Sequence, residues 1–212
     1  MRIVIVAAGQ YPRREYPLYL LASADRIVCC DGALMTLERH GICPDVVTGD
    51  LDSVCKRALN RFTGRIVHNP DQETNDLTKA FRYVMAQWPD VTEICIVGAT
   101  GHSEAHTVGN MSLLMEYERE YHLAERGIKL EMVSDWSTIS AICDSCELHV
   151  GEGRRVSLFS PDNTLCIKSE GLKWPTDDVV FDNWWKATLN VAAEDVVRLS
   201  FNHPSMALVV LD

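Results

Sequence analysis

The sequence lacks an excess of positive charge. Its 212 residues include 20 Lys and Arg against 30 Asp and Glu, which gives a formal net charge of −10, and no basic cluster stands out. Nucleic acids and anionic membrane surfaces are bound mainly through Lys and Arg that neutralise phosphates. The composition therefore argues against nucleic acid or a membrane surface as the main partner.

Long apolar runs are also missing. The first run, Met1–Ala8, ends at Gly9, and every apolar run is far shorter than the roughly 20 residues needed to span a bilayer. The first run is too brief for an export signal and predicts a first strand. Of the eight scattered cysteines, Cys143 and Cys146 have the spacing of a thiol pair, but no second pair accompanies them. We expect reduced structural cysteines in a cytoplasmic protein.

Two further signatures are incomplete. The turn Gly98–Gly101 follows a predicted strand, but it lacks the Lys-Ser/Thr of a P-loop and the third glycine of a dinucleotide fingerprint. His102 and His106 are four residues apart, as zinc ligands on a helix are, yet Ser103 stands where the zincin motif requires Glu. Zinc is therefore disfavoured, and the glycine turn is a weak signal when taken alone.

The chain does contain a regular alternation of strands and helices over its first two thirds. Apolar spacing predicts helices at Thr74–Trp88 and Glu104–Tyr121, with a strongly apolar strand at Glu93–Val97 between them. Such alternation predicts a mainly parallel sheet covered by helices on both faces. The predicted core side of the second helix comprises Val108, Met111, Leu114, Met115 and Tyr121.

The helical period disappears after about Cys146. Short β-like runs follow, for example Thr164–Lys168 and Ala207–Leu211, and they are separated by Gly, Pro, Asn and Asp. This pattern is typical of a small antiparallel sandwich. We therefore predict an α/β domain at residues 1–145 and a β domain at residues 146–212.

Two acidic residues lie where a buried strand should end. Asp50 and Asp52 follow the β-branched run Asp45–Thr48, and in extended backbone their side chains point to the same side. Two unit charges about 4 Å apart repel by roughly 4 kcal/mol at an effective dielectric near 20. The pair needs solvent, a shared proton or a cation, and a hard divalent cation fits best.

A polar loop leads into the helix predicted at Thr74–Trp88. Thr74 or Asn75 can cap this helix, and Asp76 and Lys79 lie on neighbouring surface of its first turns. A carboxylate and an ammonium beside a helix start can hold an anion. Magnesium that is bound by one or two carboxylates and by phosphates would use these parts. Asp31 and the turn after residue 97 also follow predicted strands, and parallel sheets bind ligands at that edge.

Five segments together resemble the successive motifs of the thiamin pyrophosphokinase family, in the family's order and over most of the chain. These segments are Cys30–Ala33, Pro44–Asp45, Thr48–Ser53, Pro70–Lys79 and Gly171–Trp174. The resemblance implies transfer of the terminal diphosphate of ATP to thiamin with Mg²⁺. It also implies a Rossmann-like nucleotide domain followed by a small β-sandwich, in a homodimer.

The resemblance assigns roles to individual residues. With the local patterns, it makes Asp50, Asp52 and Asp71 the expected magnesium ligands, and Asp76 and Lys79 join them as catalytic residues. The expected ATP contacts are Asp31, Gly32, Ser53, Gln72, Thr74, Thr100, Gly101 and His106. The expected thiamin contacts are Trp174, which the family contributes across its dimer interface, and more weakly Thr188 and Asn190.

The chain departs from the family pattern in two places. Leu34 and Met35 stand where the family usually has a small residue and Asn, and Ser103 and Ala105 replace an Arg and an Asp. Loss of a cation and a carboxylate at a phosphate site implies reduced activity, a shifted substrate or compensation by His102 or Glu104.

Two alternative functions follow from these departures and from the aspartates. One is a diverged relative that binds a nucleotide or thiamin as a sensor, with little or no turnover. The other is a Mg²⁺-dependent hydrolase that uses the same aspartates on another phosphate ester.

Overall fold

The computed structural model describes residues 1–212 and divides them into two compact units. The first unit comprises Met1–Leu113 and Ala124–Asp135, and the second comprises Leu114–Leu123 and Trp136–Asp212. The domain boundary predicted after residue 145 lies further along the chain than this division.

Strands and helices alternate in the first unit, as the sequence predicts. Its elements are β1 (Arg2–Val6), α1 (Glu15–Ala22), β2 (Arg26–Cys30), α2 (Leu34–Arg39), β3 (Val46–Gly49), α3 (Lys56–Arg61), β4 (Arg65–His68), α4 (Asp76–Gln87), β5 (Glu93–Val97), α5 (Glu104–Tyr121) and β6 (Lys129–Val133). A 3₁₀ turn, Asp31–Ala33, joins β2 to α2. Helix α5 continues past Leu113 into the second unit.

The first unit is organised around a parallel sheet with the strand order β6-β5-β1-β2-β3-β4. Its central strands are apolar on both faces, and Ile3, Val4 and Ile5 of β1 are all fully buried. Continuous burial of this kind is typical of a sheet covered on both sides. The predicted mainly parallel sheet is therefore confirmed.

Register brings the carboxyl ends of β2 and β3 side by side. Cys30 pairs with Thr48, and Gly49 of β3 pairs with His68 of β4. The residues that follow β2 and β3 therefore emerge together at one edge of the sheet. This edge is where parallel sheets bind ligands.

Helix α5 has the predicted bounds, but its predicted core side is partly wrong. Leu114 is fully buried, whereas Val108 is 49% exposed. The inward side of the N-terminal half is polar: Thr107 Oγ1 donates to Ser103 O at 2.8 Å and Asn110 Nδ2 donates to Ala99 O at 2.8 Å. These contacts to the preceding turn take the place of apolar packing.

The second unit contains antiparallel strands in two sheets, with the orders β11-β9-β13-β7 and β10-β12-β8. Its strands are β7 (Thr138–Ile142), β8 (Cys146–His149), β9 (Arg155–Phe159), β10 (Ile167–Glu170), β11 (Asn190–Val191), β12 (Val196–Phe201) and β13 (Ala207–Leu211). Side chains from both sheets share one core, which includes Val156, Leu158, Ile167, Val197, Leu199 and Val209. The expectation of short antiparallel strands is confirmed.

One strand of the second unit is shifted from its prediction. The run Thr164–Lys168 was expected to be extended, but β10 begins at Ile167. Asp162 accepts hydrogen bonds from the N–H and the Oγ1 of Thr164 at 2.8 and 2.6 Å, and from Ser205 Oγ at 2.8 Å. These bonds fold the start of the run into a turn. None of the helices in either unit is both long and apolar enough to cross a lipid bilayer.

Candidate active site

Three carboxylates converge at the carboxyl edge of the parallel sheet. Asp31 follows β2, Asp50 follows β3 and Asp76 opens α4. One carboxylate oxygen from each lies within 4.8 Å of the others. We call these three residues the acidic cluster. Like charges at this separation repel strongly, so the cluster favours a bound cation.

Asp31 is the most constrained member of the cluster. Its side chain is 1% exposed, and Oδ1 accepts the N–H of Gly32 at 2.6 Å, whereas Oδ2 has no hydrogen-bond partner. Burial, and next the charge of Asp76, raise the pKa of Asp31. An unpaired buried carboxylate oxygen is costly. The site is therefore destabilised until something binds that oxygen.

Gly49 allows this close arrangement. A Cβ atom at this position would lie 2.8 Å from Cγ of Asp31, and the φ angle of Gly49 is 152°. Any side chain here would push the Asp31 carboxylate away from its neighbours. The glycine before the Asp-Leu-Asp segment thus has a steric role in shaping the acidic cluster.

The loop after Gly49 orients Asp50. Its Oδ2 accepts from Gln72 Nε2 at 2.9 Å and its Oδ1 accepts from the N–H of Asp52 at 3.1 Å. The Gln72 hydrogen bond is the main cause of a lowered pKa for Asp50. Leu51 adopts a left-handed conformation with φ of 67°, which is unusual for a branched residue and points to strain at a functional turn.

Asp52 and Asp71 make local contacts outside the acidic cluster. Asp52 Oδ1 accepts from Ser53 Oγ at 2.9 Å. Asp71 Oδ2 accepts from Thr74 Oγ1 at 2.6 Å and its Oδ1 accepts from Glu73 N–H at 3.0 Å, and the Thr74 bond is the first cause of a lowered pKa for Asp71.

The carboxylates that come together therefore differ from the predicted magnesium set. The structure groups Asp50 with Asp31 and Asp76, and the assignment of Asp52 and Asp71 as ligands stays a prediction. The sequence pattern placed Asp31 at the same sheet edge as Asp50, but it assigned Asp31 to the nucleotide and not to the group of possible metal ligands. The available signal was that Asp31 and Asp50 each directly follow a strand, although strand adjacency is a tertiary feature.

Helix α4 supplies the cation beside this cluster. Asn75, one of the two predicted N-cap residues, caps this helix. The Oδ1 atom of Asn75 accepts a hydrogen bond from Thr78 N–H at 2.8 Å. Lys79 is 5% exposed, and its Nζ lies 3.0 Å from Asp76 Oδ1. Burial opposes the charge of Lys79, but the hydrogen bond and charge of Asp76 outweigh it and raise the pKa of the ammonium group.

A pocket of about 240 Å³ adjoins the cluster. Its walls come from the ends of β1 and β2, the start of α4, the turn after β5 and the start of α5. The lining residues are Ala7, Ala8, Gly9, Cys30, Asn75, Asp76, Leu77, Ala99, Thr100, His102, Ser103, His106, Thr107 and Asn110. Two imidazoles are present, but neither Lys nor Arg lines the pocket. Of the residues predicted to bind ATP, Thr100 and His106 are here.

The altered turn before α5 is tied together locally. Ser103 Oγ accepts from His106 N–H at 3.4 Å, in the manner of a weak helix cap, and Gly101 N–H donates to Thr107 Oγ1 at 3.3 Å. Ser103 thus supports the start of α5 and supplies no positive charge.

The predicted thiamin residues lie in the second unit. Trp174 is 53% exposed, and its ring lies under the ammonium group of Lys173, with Nζ 4.8 Å from the ring centroid. Asn190 is buried and bonds to the backbone of Trp174. Thr188 Oγ1 donates to Trp185 O at 2.7 Å. The structure thus brings Trp174 and Asn190 together.

Comparison with known proteins yields two family models that together match most of the chain. The model of the thiamin pyrophosphokinase catalytic domain matches residues 18–124, and that of the thiamin pyrophosphokinase substrate-binding domain matches residues 138–207. Thiamine pyrophosphokinase 1 of Oryza sativa subsp. japonica is 26% identical over 172 residues, which cover 74% of this chain and 62% of that protein. The chain thus spans less than two thirds of that curated relative's length.

Solved structures of similar fold include two thiamin pyrophosphokinases. The one from Bacillus subtilis has a TM-score of 0.78 at 18% identity and covers 100% of this chain and 99% of that one. The one from Candida albicans has a TM-score of 0.77 at 14% identity, with coverages of 99% and 88%. At such identities the likeness concerns the fold.

Proposed function

Because the chain belongs to the thiamin pyrophosphokinase family, we propose that it transfers the terminal diphosphate of ATP to the hydroxyl group of thiamin, giving thiamin diphosphate and AMP. One observation supports this proposal most directly. The acidic cluster, with its unpartnered Asp31 oxygen, adjoins a pocket of about 240 Å³ at the ligand-binding edge of the sheet.

The residues present fit a magnesium ion. Asp31, Asp50 and Asp76 offer hard carboxylate oxygens within 4.8 Å of one another, and Asp31 Oδ2 is buried without a partner. Oxygen ligands and one or two carboxylates are what Mg²⁺ takes in phosphate-binding sites. When bound, Mg²⁺ supplies positive charge that offsets the charge on the ATP phosphates. Asp52 and Asp71 remain candidates for ligands once ATP is bound.

The proposed reaction forms one bond and breaks one. The thiamin hydroxyl oxygen bonds to the β-phosphorus, the bond from that phosphorus to the oxygen bridging to the α-phosphorus breaks, and AMP leaves. The Lys79 ammonium, buried beside Asp76, supplies positive charge next to the acidic cluster without lining the pocket itself. Catalysis of this type depends on alignment and electrostatics, with little covalent work by the protein.

The hydroxyl proton passes to a carboxylate of the acidic cluster. Burial raises the pKa of Asp31, whereas the Gln72 hydrogen bond lowers the pKa of Asp50. A general base works best when its pKa approaches the working pH. We therefore propose that the proton goes to a carboxylate of the cluster that does not hold the metal ion.

Finer features of the proposal come from the family. We propose a Rossmann-like nucleotide domain and a β-sandwich domain that binds thiamin. We also propose that the protein is a cytoplasmic homodimer in which Trp174 contacts thiamin across the dimer interface. Gly32, Ser53, Gln72, Thr74 and Gly101 are proposed as further ATP contacts, and Thr188 as a thiamin contact. The negative charge of the chain supports small-molecule partners over nucleic acid or a membrane surface.

Incubation of the purified protein with thiamin, ATP and MgCl₂ tests the proposal. We expect AMP and thiamin diphosphate in equal amounts, and neither product without Mg²⁺. Release of inorganic phosphate in the absence of thiamin would instead identify a hydrolase that uses the same aspartates.

A second candidate is a nucleotide or thiamin sensor, and one observation favours it. The pocket lining contains neither Lys nor Arg, and Ser103 acts as a helix cap where the family has Arg. Titration calorimetry separates the two candidates: saturable heat with ATP and Mg²⁺ but no AMP over hours would favour the sensor.

A further inference from the structure

Asn190 holds the backbone of Trp174 from both sides. The Trp174 N–H donates to Asn190 Oδ1 at 3.2 Å, and Asn190 Nδ2 donates back to Trp174 O at 2.6 Å. The same Oδ1 also accepts from Val191 N–H at 2.9 Å. The Asn190 residue is 6% exposed, so its amide is directed at the backbone and largely shielded from solvent.

The residues on either side of Trp174 are fixed as well. Lys173 N–H donates to Val191 O at 2.8 Å. On the other side, Thr176 N–H donates to Ser169 Oγ at 3.0 Å, and the buried Thr176 Oγ1 donates to Ile167 O at 2.6 Å. A tryptophan with such a restrained backbone and a ring that is 53% exposed is a preorganised aromatic platform. Such a platform loses little conformational entropy when a ligand stacks on it.

The face of this ring already attracts a cation. The Lys173 ammonium lies 4.8 Å from the ring centroid of Trp174, within the range of a cation–π contact. The Lys173 residue is otherwise exposed, so its long side chain is able to move away into solvent. A ligand that approaches the same face of the ring must displace this ammonium group.

We propose that Asn190 is a positioning residue that fixes Trp174, and that Lys173 is a built-in competitor which a cationic ligand ring must displace. The identity of the ligand rests on the proposed function, under which the ligand is thiamin, and the cationic ring that we place on Trp174 is its thiazolium. A quaternary ring replaces the cation–π contact that Lys173 loses. A neutral ring of the same shape must displace the same ammonium group without replacing its contact, so it binds more weakly.

Removal of the competing charge tests the role of Lys173. We expect Lys173→Met to lower the Kd for thiamin about two- to fivefold, the size of an exposed cation–π contact. The matched control is Lys168→Met, an exposed lysine of β10 in the same unit, which should leave the Kd unchanged. Weaker thiamin binding by Lys173→Met would overturn the proposal, because it would make Lys173 a direct ligand contact.

Calorimetry with thiamin and with its neutral hydroxyethylthiazole fragment measures this effect without turnover. The thiazole should bind wild type more weakly than thiamin, and both ligands should gain similar affinity from Lys173→Met, because each displaces the same ammonium group. A gain confined to thiamin would identify charge repulsion by Lys173 and would overturn its role as a competitor for the ring. Because the readout is binding, a protein that binds thiamin but forms no AMP would refute the proposed function and leave this inference intact.

Asn190→Asp tests the positioning role. The carboxylate keeps both accepted hydrogen bonds but is unable to donate to Trp174 O. We expect the Kd for thiamin to rise about five- to tenfold, as one lost hydrogen bond predicts, with the Kd for ATP unchanged. In a Trp174→Ala background the same change should have little further effect, because Asn190 acts through that ring.

Additive losses in the double variant, or an equal loss of ATP binding, would make Asn190 merely structural and overturn its assigned role. Asn190→Ser is a second variant for the case in which a buried carboxylate prevents folding, and its thermal unfolding is measured alongside. A folded Asn190→Ser variant with wild-type thiamin affinity would likewise overturn it.

Discussion

The acidic cluster and the Trp174 platform are built on opposite principles. In the cluster, Asp31 Oδ2 is buried without a hydrogen-bond partner beside two further carboxylates. In the platform, the Asn190 amide satisfies both backbone polar groups of Trp174. The first region stores unfavourable electrostatic energy that a ligand relieves, whereas the second is rigid before any ligand arrives. Removal of a polar group should therefore have opposite effects on stability in the two regions.

The largest effect is expected for Asp50→Asn. This change keeps the shape of the side chain but removes charge from the acidic cluster, so kcat/KM for ATP with Mg²⁺ should fall about 100- to 1000-fold. Initial rates of AMP formation at varied ATP and Mg²⁺ measure it. Asp90→Asn, at an exposed aspartate after α4, is the matched control, and an equal loss in that variant would refute the specific role of Asp50.

Asp31→Asn should separate stability from activity. Neutralisation of the buried, unpaired carboxylate should raise the free energy of unfolding by about 1–3 kcal/mol, while AMP formation falls. Denaturant titration without Mg²⁺ measures the gain. A loss of stability at neutral pH would contradict the view that this region is strained.

The gain from Asp31→Asn should depend on pH. The pKa of Asp31 is raised in the folded protein by burial, so wild type loses stability as pH rises from the ordinary aspartate range through this raised pKa. The two proteins should be equally stable at low pH and diverge as pH increases. Saturating Mg²⁺ should narrow the difference, because it stabilises the wild type more.

Thr176→Val tests the platform in the opposite direction. The substitution conserves shape but leaves the carbonyl of Ile167 without the donor that now lies at 2.6 Å. We expect a loss of about 1–2 kcal/mol of unfolding free energy and weaker thiamin binding. The matched control is Thr63→Val, at an exposed threonine in the loop after α3 of the first unit, which should change neither quantity.

Ser103→Ala should have the smallest effect. The hydroxyl of Ser103 accepts a long hydrogen bond from His106 N–H at 3.4 Å, so its loss should cost about 0.5–1 kcal/mol of unfolding free energy. Thermal unfolding measures this change. A fall in ATP affinity far beyond that cost would show that the hydroxyl contacts the nucleotide and is more than a helix cap.

Much of the fold was predictable from local sequence patterns. The bounds of β5 follow from an apolar run that ends before the turn after residue 97, and those of α5 follow from apolar residues at helical spacing up to Tyr121. The error at Val108 arose because periodicity identifies an apolar stripe but does not reveal that Thr107 and Asn110 bond inward to a neighbouring turn. Polar packing of this kind depends on which turn is nearby.

The sequence by itself determined the alternation of strands and helices, a helix start at Thr74 or Asn75, and the family, because each rests on residues that are close in the chain or ordered along it. Tertiary structure decided which carboxylates meet. Asp31 and Asp50 are neighbours because β2 and β3 pair in parallel, with Cys30 opposite Thr48. It also decided that Asn190 holds Trp174, since hydrogen bonds between residues distant in sequence require the folded backbone to bring them together.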